Sequence, residues 1–449
     1  MLTILDISNH WSETGGGVRR YQLEKCAAFA ERDTLRHVLV TPDRLRATTP
    51  MRPGVVREHV RAPEIPGTGG YRYLLRSKEL AELIAEHRPE VVVCGSPIVM
   101  PALIKRALRR ARHDAVVVGF WHADFPRTYF GRAGSRLGLS GVGESLGWTW
   151  ARHAYAGFDA TLVASRAVGR QMLHHGLGPL YFSPLGVDTT RFHPLRRDPE
   201  LRSRVQAGDA RRKIIFFPHR FCEEKGLPQL LDAYDRLTRA ELDGQPLPAL
   251  VFAGAGPHLA AVEAAAQRFK HAHYLGYLHS VDELATWYAS SDLCISLSAW
   301  ETFGLSTAEA MASGLAIVSA NQGAAPELVR EGNAGICVDR DQPVEIAEAL
   351  RNLVCNPELE SLGRNARRRV EALSWGATFE RELAVYRELV RLRRAGDAPP
   401  PGLHAAAELV GPGEVQGHAR RAKATSSRAE RIHSSSIECS KRASNEAYQ

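Results

Sequence analysis

Short apolar runs alternate with amphipathic stretches along most of the chain, and this alternation predicts repeated strand–helix units. In the first half the apolar runs fall at residues 2–7, 37–40, 90–94, 115–120 and 160–163, with helical periodicity at residues 18–31, 74–86 and 101–112. A second series falls at residues 213–217, 249–253, 273–275, 292–297, 315–318 and 335–338. Between the two series, residues 183–194 read SPLGVDTTRFHP, a polar stretch broken by two prolines and a glycine. Continuous apolar strands joined by helices belong to sheets covered on both faces, so the fold class is α/β with two open parallel sheets. The expected domains are residues 1–185 and 186–373, each about the size of a Rossmann unit, with a hinge near residues 186–194. A helix at residues 374–394 follows the second sheet and is expected to cross back onto the first domain. From residue 395 the chain passes through DAPPPG into a Ser-, Arg- and Ala-rich tail that cannot bury enough surface to order itself, so disorder is expected to residue 449.

One stretch organises the second series. Residues 298–314 read SAWETFGLSTAEAMASG and lie between two apolar runs, which predicts strand, loop, short helix and strand. The helix should begin near Gly304, bury Leu305, Ala308 and Met311, and stop at Gly314. Glu301 then lies in the loop and Glu309 in the helix, roughly 10 Å apart at about 1.5 Å rise per residue. That is too far to share one proton or one metal, but it suits the two ends of an elongated ligand. Between them, the N–H groups of Phe303, Gly304 and Leu305 sit at the positive end of the helix, where phosphates bind. A ligand with two hydroxyl-rich ends and a phosphate middle is a nucleotide sugar.

Other polar loops fall at strand ends, where open parallel sheets bind ligands. Residues 14–19, TGGGVR, let the backbone at Gly16 and Gly17 approach an anion, although neither a G-x-G-x-x-G pattern nor a P-loop lysine is present. Residues 120–127, FWHADFPR, carry His122 toward a sugar or the reacting oxygens, and Asp124 and Arg127 toward an acceptor. On residue types alone, a structural loop whose histidine caps a backbone group is the stronger reading of this segment. Residues 217–226, FPHRFCEEKG, place Arg220 and Lys225 beside a helix start, where two cations can neutralise a diphosphate leaving group. The plainer alternative is a pair of surface charges balanced by Glu223 and Glu224. Residues 254–257, GAGP, form a strand-to-helix corner, and backbone at Gly276 and Tyr277 could bond a flat base or simply end a strand.

Composition narrows the class without choosing a ligand. An apolar fraction of 44% and a charged fraction of 24% are those of a soluble globular protein. No apolar run approaches the ~20 residues of a membrane span, and MLTILDISNHW lacks the basic start of a signal peptide, so a cytoplasmic protein is expected. The seven cysteines are scattered without a CxxC pair, which fits reduced thiols. A net charge of +8 suits nucleic acid, an anionic membrane or phosphorylated substrates alike. Asp339 and Asp341 match a D-x-D metal pattern but precede Gln342 and Pro343, so turn and capping roles explain them better. Residues 105–112, KRALRRAR, carry cations on one helical face, a candidate for peripheral contact with anionic lipid; a solvated outer face is the stronger reading.

Taken in order, Gly16–Gly17, His122, Gly186-Val187-Asp188 with Phe192, Arg220 and Lys225, the GAGP turn and the E-x7-E pair Glu301 and Glu309 resemble the retaining glycosyltransferases of family 4. The resemblance runs from residue 2 to about residue 394 and implies the GT-B fold, two Rossmann-like domains facing across a cleft. It implies that Glu301 sits by the donor sugar, Glu309 binds the ribose hydroxyls and Phe303–Leu305 offer N–H groups to the diphosphate. Arg220 and Lys225 would stabilise the departing diphosphate, Gly16 or Gly17 would approach it from the other domain, and His122 would serve the sugar. His219 stands where the family usually has glycine. The resemblance further implies that no metal or other cofactor is required, with a UDP- or GDP-sugar as donor and a lipid, glycolipid or saccharide as acceptor. Nucleic acid is not expected as a partner. Front-face substitution is the expected mechanism. An epimerase or phosphorylase on the same architecture, or a non-catalytic nucleotide-sugar-binding protein, are the alternatives.

Overall fold

Two sheets organise the computed structural model, which describes residues 1–9, 11, 16–30, 32–65, 71–135 and 138–410. The first is built from β1 (Leu2–Ile7), β2 (Leu35–Asp43), β3 (Ala47–Arg52), β4 (Val55–Arg61), β5 (Val91–Cys94), β6 (Val116–Phe120), β7 (Ala160–Val163) and β8 (Leu180–Phe182). The second contains β9 (Ile214–Pro218), β10 (Ala249–Ala253), β11 (Ala272–Tyr274), β12 (Leu293–Ser296), β13 (Ala316–Ala320) and β14 (Gly335–Val338). A last strand, β15 (Leu403–Ala405), returns to the first sheet. Strand order is β15-β8-β7-β6-β5-β1-β2-β4-β3 in the first and β11-β10-β9-β12-β13-β14 in the second. Pairing is parallel throughout except for β3, which runs antiparallel to β4 at one edge. β5, β6, β10 and β12 are buried along their whole length, because helices cover both faces. That is why these strands read as unbroken apolar runs rather than as alternation.

The strand orders fix where ligands can lie. In the first sheet the direction of winding reverses between β1 and β5, and in the second between β9 and β12. Crevices at such reversals, beyond the carboxyl ends of the strands, are where doubly wound sheets bind ligands. The loops leaving β1, β9 and β12 carry the glycine run, the Arg220–Lys225 segment and Glu301.

The helix Trp375–Ala395 joins the halves. Ser374 caps its start by accepting a bond from the Ala377 N–H at 3.2 Å. In the linker, the Val187 N–H donates to the Leu373 carbonyl at 2.8 Å, and Thr378 Oγ1 donates to the Pro184 carbonyl at 2.9 Å. Further along, the helix docks on the first domain through a fully buried ionic cluster. Lys25 Nζ, from the helix Gly17–Phe29, lies 2.7 Å from Asp6 Oδ2 and 3.1 Å from Glu382 Oε2, and donates to Tyr386 Oη at 2.9 Å. Crossing back onto the first domain is therefore enforced by charge as well as by apolar packing.

Two sequence expectations change here. The tail does not lose order at residue 395: β15 pairs with β8 in parallel register, Leu403 opposite Leu180, and Ala406 behind it is fully buried. A three-residue strand carries no readable periodicity, and its stability comes from the sheet edge it completes. Residues 411–449 lie outside the described residues. The edge strand β3, mostly exposed and polar, was likewise invisible to an apolar-run reading.

Candidate active site

The loop leaving β9 is shaped by its neighbours. His219 is buried, and its Nε2 bonds the Ile295 carbonyl at 3.1 Å. A Cβ on Gly254, whose φ is +141°, would stand 2.2 Å from the His219 carbonyl oxygen. The GAGP turn is thus a floor under the 219–221 backbone, and only glycine leaves room for it. His219 occupies the place where glycine was expected, and burial followed by the nearby Lys225 charge pulls its imidazole down to about 4, so it stays neutral. Arg340, buried between Asp339 and Asp341, donates to the Glu223 and Glu224 carbonyls at 2.8 and 3.1 Å and so braces the turn ahead of Lys225. Asp339 Oδ1 accepts the Asp341 N–H at 3.0 Å, a turn contact.

Lys225 reaches Glu301 across the β9–β12 crevice, forming an ion pair between half-buried side chains. Burial opposes both charges, but each stabilises the other: Lys225 is raised above the ordinary lysine value and Glu301 held below that of a carboxylic acid. Arg220, exposed at the same loop, has no hydrogen-bond or ion-pair partner among the described residues. It is available to an anion.

The short helix Leu305–Ala312 starts at Gly304, whose φ of +89° turns the chain sharply after the buried Phe303. It ends two residues before Gly314; Ala308 and Met311 are buried and Leu305 only partly. The N–H groups of Phe303, Gly304 and Leu305 have no acceptor among the described residues. From the first domain, Gly17 faces this helix start, a Cβ there standing 3.6 Å from Leu305 Cδ2; Gly16 has open space beside it. Residues 12–15 lie outside the described residues. Thr302 Oγ1 donates to the His122 carbonyl at 3.0 Å, so the glutamate loop and the histidine loop meet. The His122 ring stacks on Phe120 at 4.1 Å and lies edge-on to Tyr21 at 4.9 Å.

Asp124 is buried with Oδ1 lacking a hydrogen-bond partner among the described residues, and burial, only partly opposed by Arg127, raises it to about 6. Arg127 stands 3.7 Å from Asp124 Oδ2 and donates to Glu144 Oε1 at 2.9 Å. Gly276 accepts from the Gly254 N–H at 2.9 Å, and Tyr277 is exposed beside it. Lys105, from the basic helix, is not free for lipid: its Nζ donates to the Ala154 carbonyl at 2.9 Å and to that of Ala156.

Three contributors escaped the sequence reading. Arg20 donates to Glu309 Oε1 at 2.7 Å across the cleft. Glu327 of the second domain accepts from Ser165 Oγ at 2.9 Å and the Ala167 N–H at 3.0 Å, capping a first-domain helix. Arg340 braces the lysine loop. Only Arg20 left a signal, since two arginines in the first turn of a helix oppose its dipole and need another partner.

The model of glycosyl transferases group 1 matches residues 200–369, and that of glycosyltransferase family 4 matches residues 15–191. A GDP-mannose-dependent alpha-(1-6)-phosphatidylinositol dimannoside mannosyltransferase of Mycobacterium tuberculosis is 28% identical over 402 residues, covering 88% of this chain and 99% of its own. A sulfoquinovosyl transferase of Arabidopsis thaliana is 30% identical across 68% of this chain and 58% of its own. In fold, the chain is similar to sucrose-phosphate synthase from Thermosynechococcus elongatus, with a TM-score of 0.69 at 18% identity over 87% of this chain and 100% of that one. With two facing Rossmann-like domains and both family models matched in order, the chain belongs to the family 4 glycosyltransferases and is an enzyme that acts on sugar nucleotides.

Proposed function

We propose that this enzyme is a retaining hexosyltransferase that uses GDP-mannose or a UDP-hexose and delivers the sugar to a saccharide or lipid-borne acceptor, without a metal. The Lys225–Glu301 pair carries the reading: a carboxylate held in an ion pair, beside Arg220, unpartnered among the described residues, and the N–H groups of residues 303–305, positions a sugar better than it attacks one. The acceptor hydroxyl attacks the anomeric carbon from the face the diphosphate leaves. The bond from that carbon to the diphosphate oxygen breaks, and this oxygen takes the acceptor's proton. Arg220, Lys225 and the N–H groups of Phe303–Leu305 stabilise the charge that builds on the diphosphate. His122 lines the sugar, Glu309 takes the ribose hydroxyls, Gly16 and Gly17 flank the phosphates, and Gly276 and Tyr277 meet the base.

The acceptor side is supported by the helix Ser140–Tyr155. Leu139, Val142, Leu146 and Trp150 recur at helical spacing and are all exposed, and Trp150 satisfies its indole N–H on the Ile98 carbonyl at 3.2 Å. This apolar stripe adjoins the Asp124–Arg127 loop and the helix Met100–Ala111, whose Arg106, Arg109 and Arg110 are exposed. Apolar rings and cations together suit the surface of an anionic bilayer that presents the acceptor. The similarity to the phosphatidylinositol dimannoside mannosyltransferase supports GDP-mannose and a lipid acceptor. The test is a panel of GDP-mannose, UDP-glucose, UDP-galactose and UDP-N-acetylglucosamine read by nucleotide release, with the product anomer assigned by NMR. Arg220→Ala and Lys225→Ala should each lower turnover by orders of magnitude while thermal unfolding changes little. An inverted anomer, or full turnover in both variants, would sink the mechanism.

A further inference from the structure

Arg20 belongs to the first domain and Glu309 to the second, yet their side chains form a mostly buried ion pair at 2.7 Å. The guanidinium also lies over the ring of Phe192, in the segment that links the two domains, 5.2 Å from its centre. Three parts of the chain therefore converge on one carboxylate. Arg20 occupies Oε1 only, and Arg20 Nη2 is buried without a hydrogen-bond partner among the described residues. The site is built but unfinished: one carboxylate oxygen and one guanidinium N–H await a ligand that both donates and accepts, as a vicinal diol does.

We infer that Arg20 is a positioning residue for the donor, lending its charge across the cleft so that Glu309 stays ionised in the closed, dehydrated site and grips the ribose diol there. This rests on the reading of Glu309 as the ribose-binding carboxylate and adds the condition under which it works. A carboxylate buried this deeply is costly to ionise alone. Among the described residues, the groups facing Glu309 are Arg20 from the first domain, Asp188 from the linker, Tyr288 from the helix Val281–Ala289 and Cys294 from β12. Of these, only Arg20 is a cation. Even with it, burial pushes Glu309 up to about 7, so losing the Arg20 charge inside the closed cleft would leave the group protonated and less able to accept both ribose hydroxyls.

Isothermal titration with UDP and with GDP, each against its 2′,3′-dideoxy analogue, between pH 5.5 and 8.5 tests the inference. Wild type should favour the ribose form, with a preference that rises through a midpoint near pH 7. Arg20→Met should move that midpoint upward by about one unit and cut the preference at pH 7 about tenfold, and Arg20→Lys should restore most of it. Glu309→Gln reads the same linkage from the other side and should give a weak, pH-independent preference. If wild type favours ribose and Arg20→Met keeps both its midpoint and its preference, the inference is wrong while the ribose reading stands. If wild type itself shows no preference for ribose, the ribose reading fails and takes this inference with it.

Discussion

Tyr21 and Glu382 tie the crossing helix to the first domain: the tyrosine hydroxyl donates to both carboxylate oxygens, at 3.0 and 2.8 Å. The same ring packs roughly perpendicular to that of His122, so the last long helix of the chain helps fix a residue of the candidate sugar site. Lys25 completes the arrangement by lying between Asp6 and Glu382, all three side chains being fully buried, and burial raises the Glu382 carboxyl above its ordinary value. Replacing one member of such a cluster leaves uncompensated charge in the interior. Lys25→Met is expected to cost about 3–5 kcal/mol, and Tyr21→Phe, which removes only a hydroxyl, about 1–3 kcal/mol. Urea unfolding followed by circular dichroism measures both. A Lys25→Met protein as stable as wild type would mean that the cluster is repacked at no cost.

His219 should make the enzyme acid-sensitive. Its imidazole titrates at about 4 when folded, against an ordinary value of 6.5, because burial and then Lys225 disfavour the charged form. Between these values the unfolded chain binds the proton and the folded one does not. Stability from this site is complete above pH 6.5 and is lost as the pH falls toward 4, by about 3 kcal/mol in all. Carboxylates titrate in the same window, so the comparison that isolates His219 is the pH slope of wild type against His219→Asn. The variant should show the shallower slope between pH 6.5 and 4.5; equal slopes would remove His219 as the cause.

Most of the fold was legible in the sequence because buried parallel strands need long apolar runs, and β1, β5, β6, β9, β10, β12 and β13 have them. β4, β8, β15 and the polar edge strand β3 were not, since strands this short, this exposed or this mixed in polarity are held by their neighbours rather than by an apolar run of their own. In the site, residues of the second domain announced themselves through glycine, charge and spacing within one segment. Glu327 and Arg340 did not, and Arg20 did so only through its place in the first turn of a helix, because each acts on a partner more than a hundred residues away. Lys105 misled for the same reason: its charge reads as surface in sequence, and its role as a helix C-terminal cap depends on Ala154 and Ala156.

Gly254 should be essential to turnover without contributing a side chain. Alanine there would drive its Cβ into the His219 carbonyl at 2.2 Å and strain a φ of +141°. The backbone of residues 219–221 must then move, and Arg220 moves with it. A displacement of an ångström in a transition-state contact can cost about a hundredfold. The expectation for Gly254→Ala is a kcat loss of that order, with far less effect on the midpoint of thermal unfolding than Lys25→Met. Unchanged kcat would show that Arg220 is positioned by its ligand rather than by the turn beneath it.

The exposed stripe on the helix Ser140–Tyr155 gives the last prediction. Its inner face is fixed: Trp148, Ala151 and Tyr155 are buried, so the outer residues cannot turn inward to hide. Leu139, Val142, Leu146 and Trp150 therefore stay in water unless something covers them, at roughly 25 cal/mol for each Å² of apolar surface left exposed. Covering by an anionic bilayer predicts co-sedimentation with vesicles containing phosphatidylglycerol, strongest at low salt because the exposed arginines of the neighbouring helix contribute. Leu146→Glu with Trp150→Glu should abolish sedimentation and raise KM for a lipid-borne acceptor, while donor hydrolysis in solution and thermal stability are kept. Arg106→Glu with Arg109→Glu should weaken binding in low salt alone. Vesicle binding that survives the double glutamate variant would place the lipid surface elsewhere on the first domain, and the acceptor would then reach Asp124 and Arg127 by another approach.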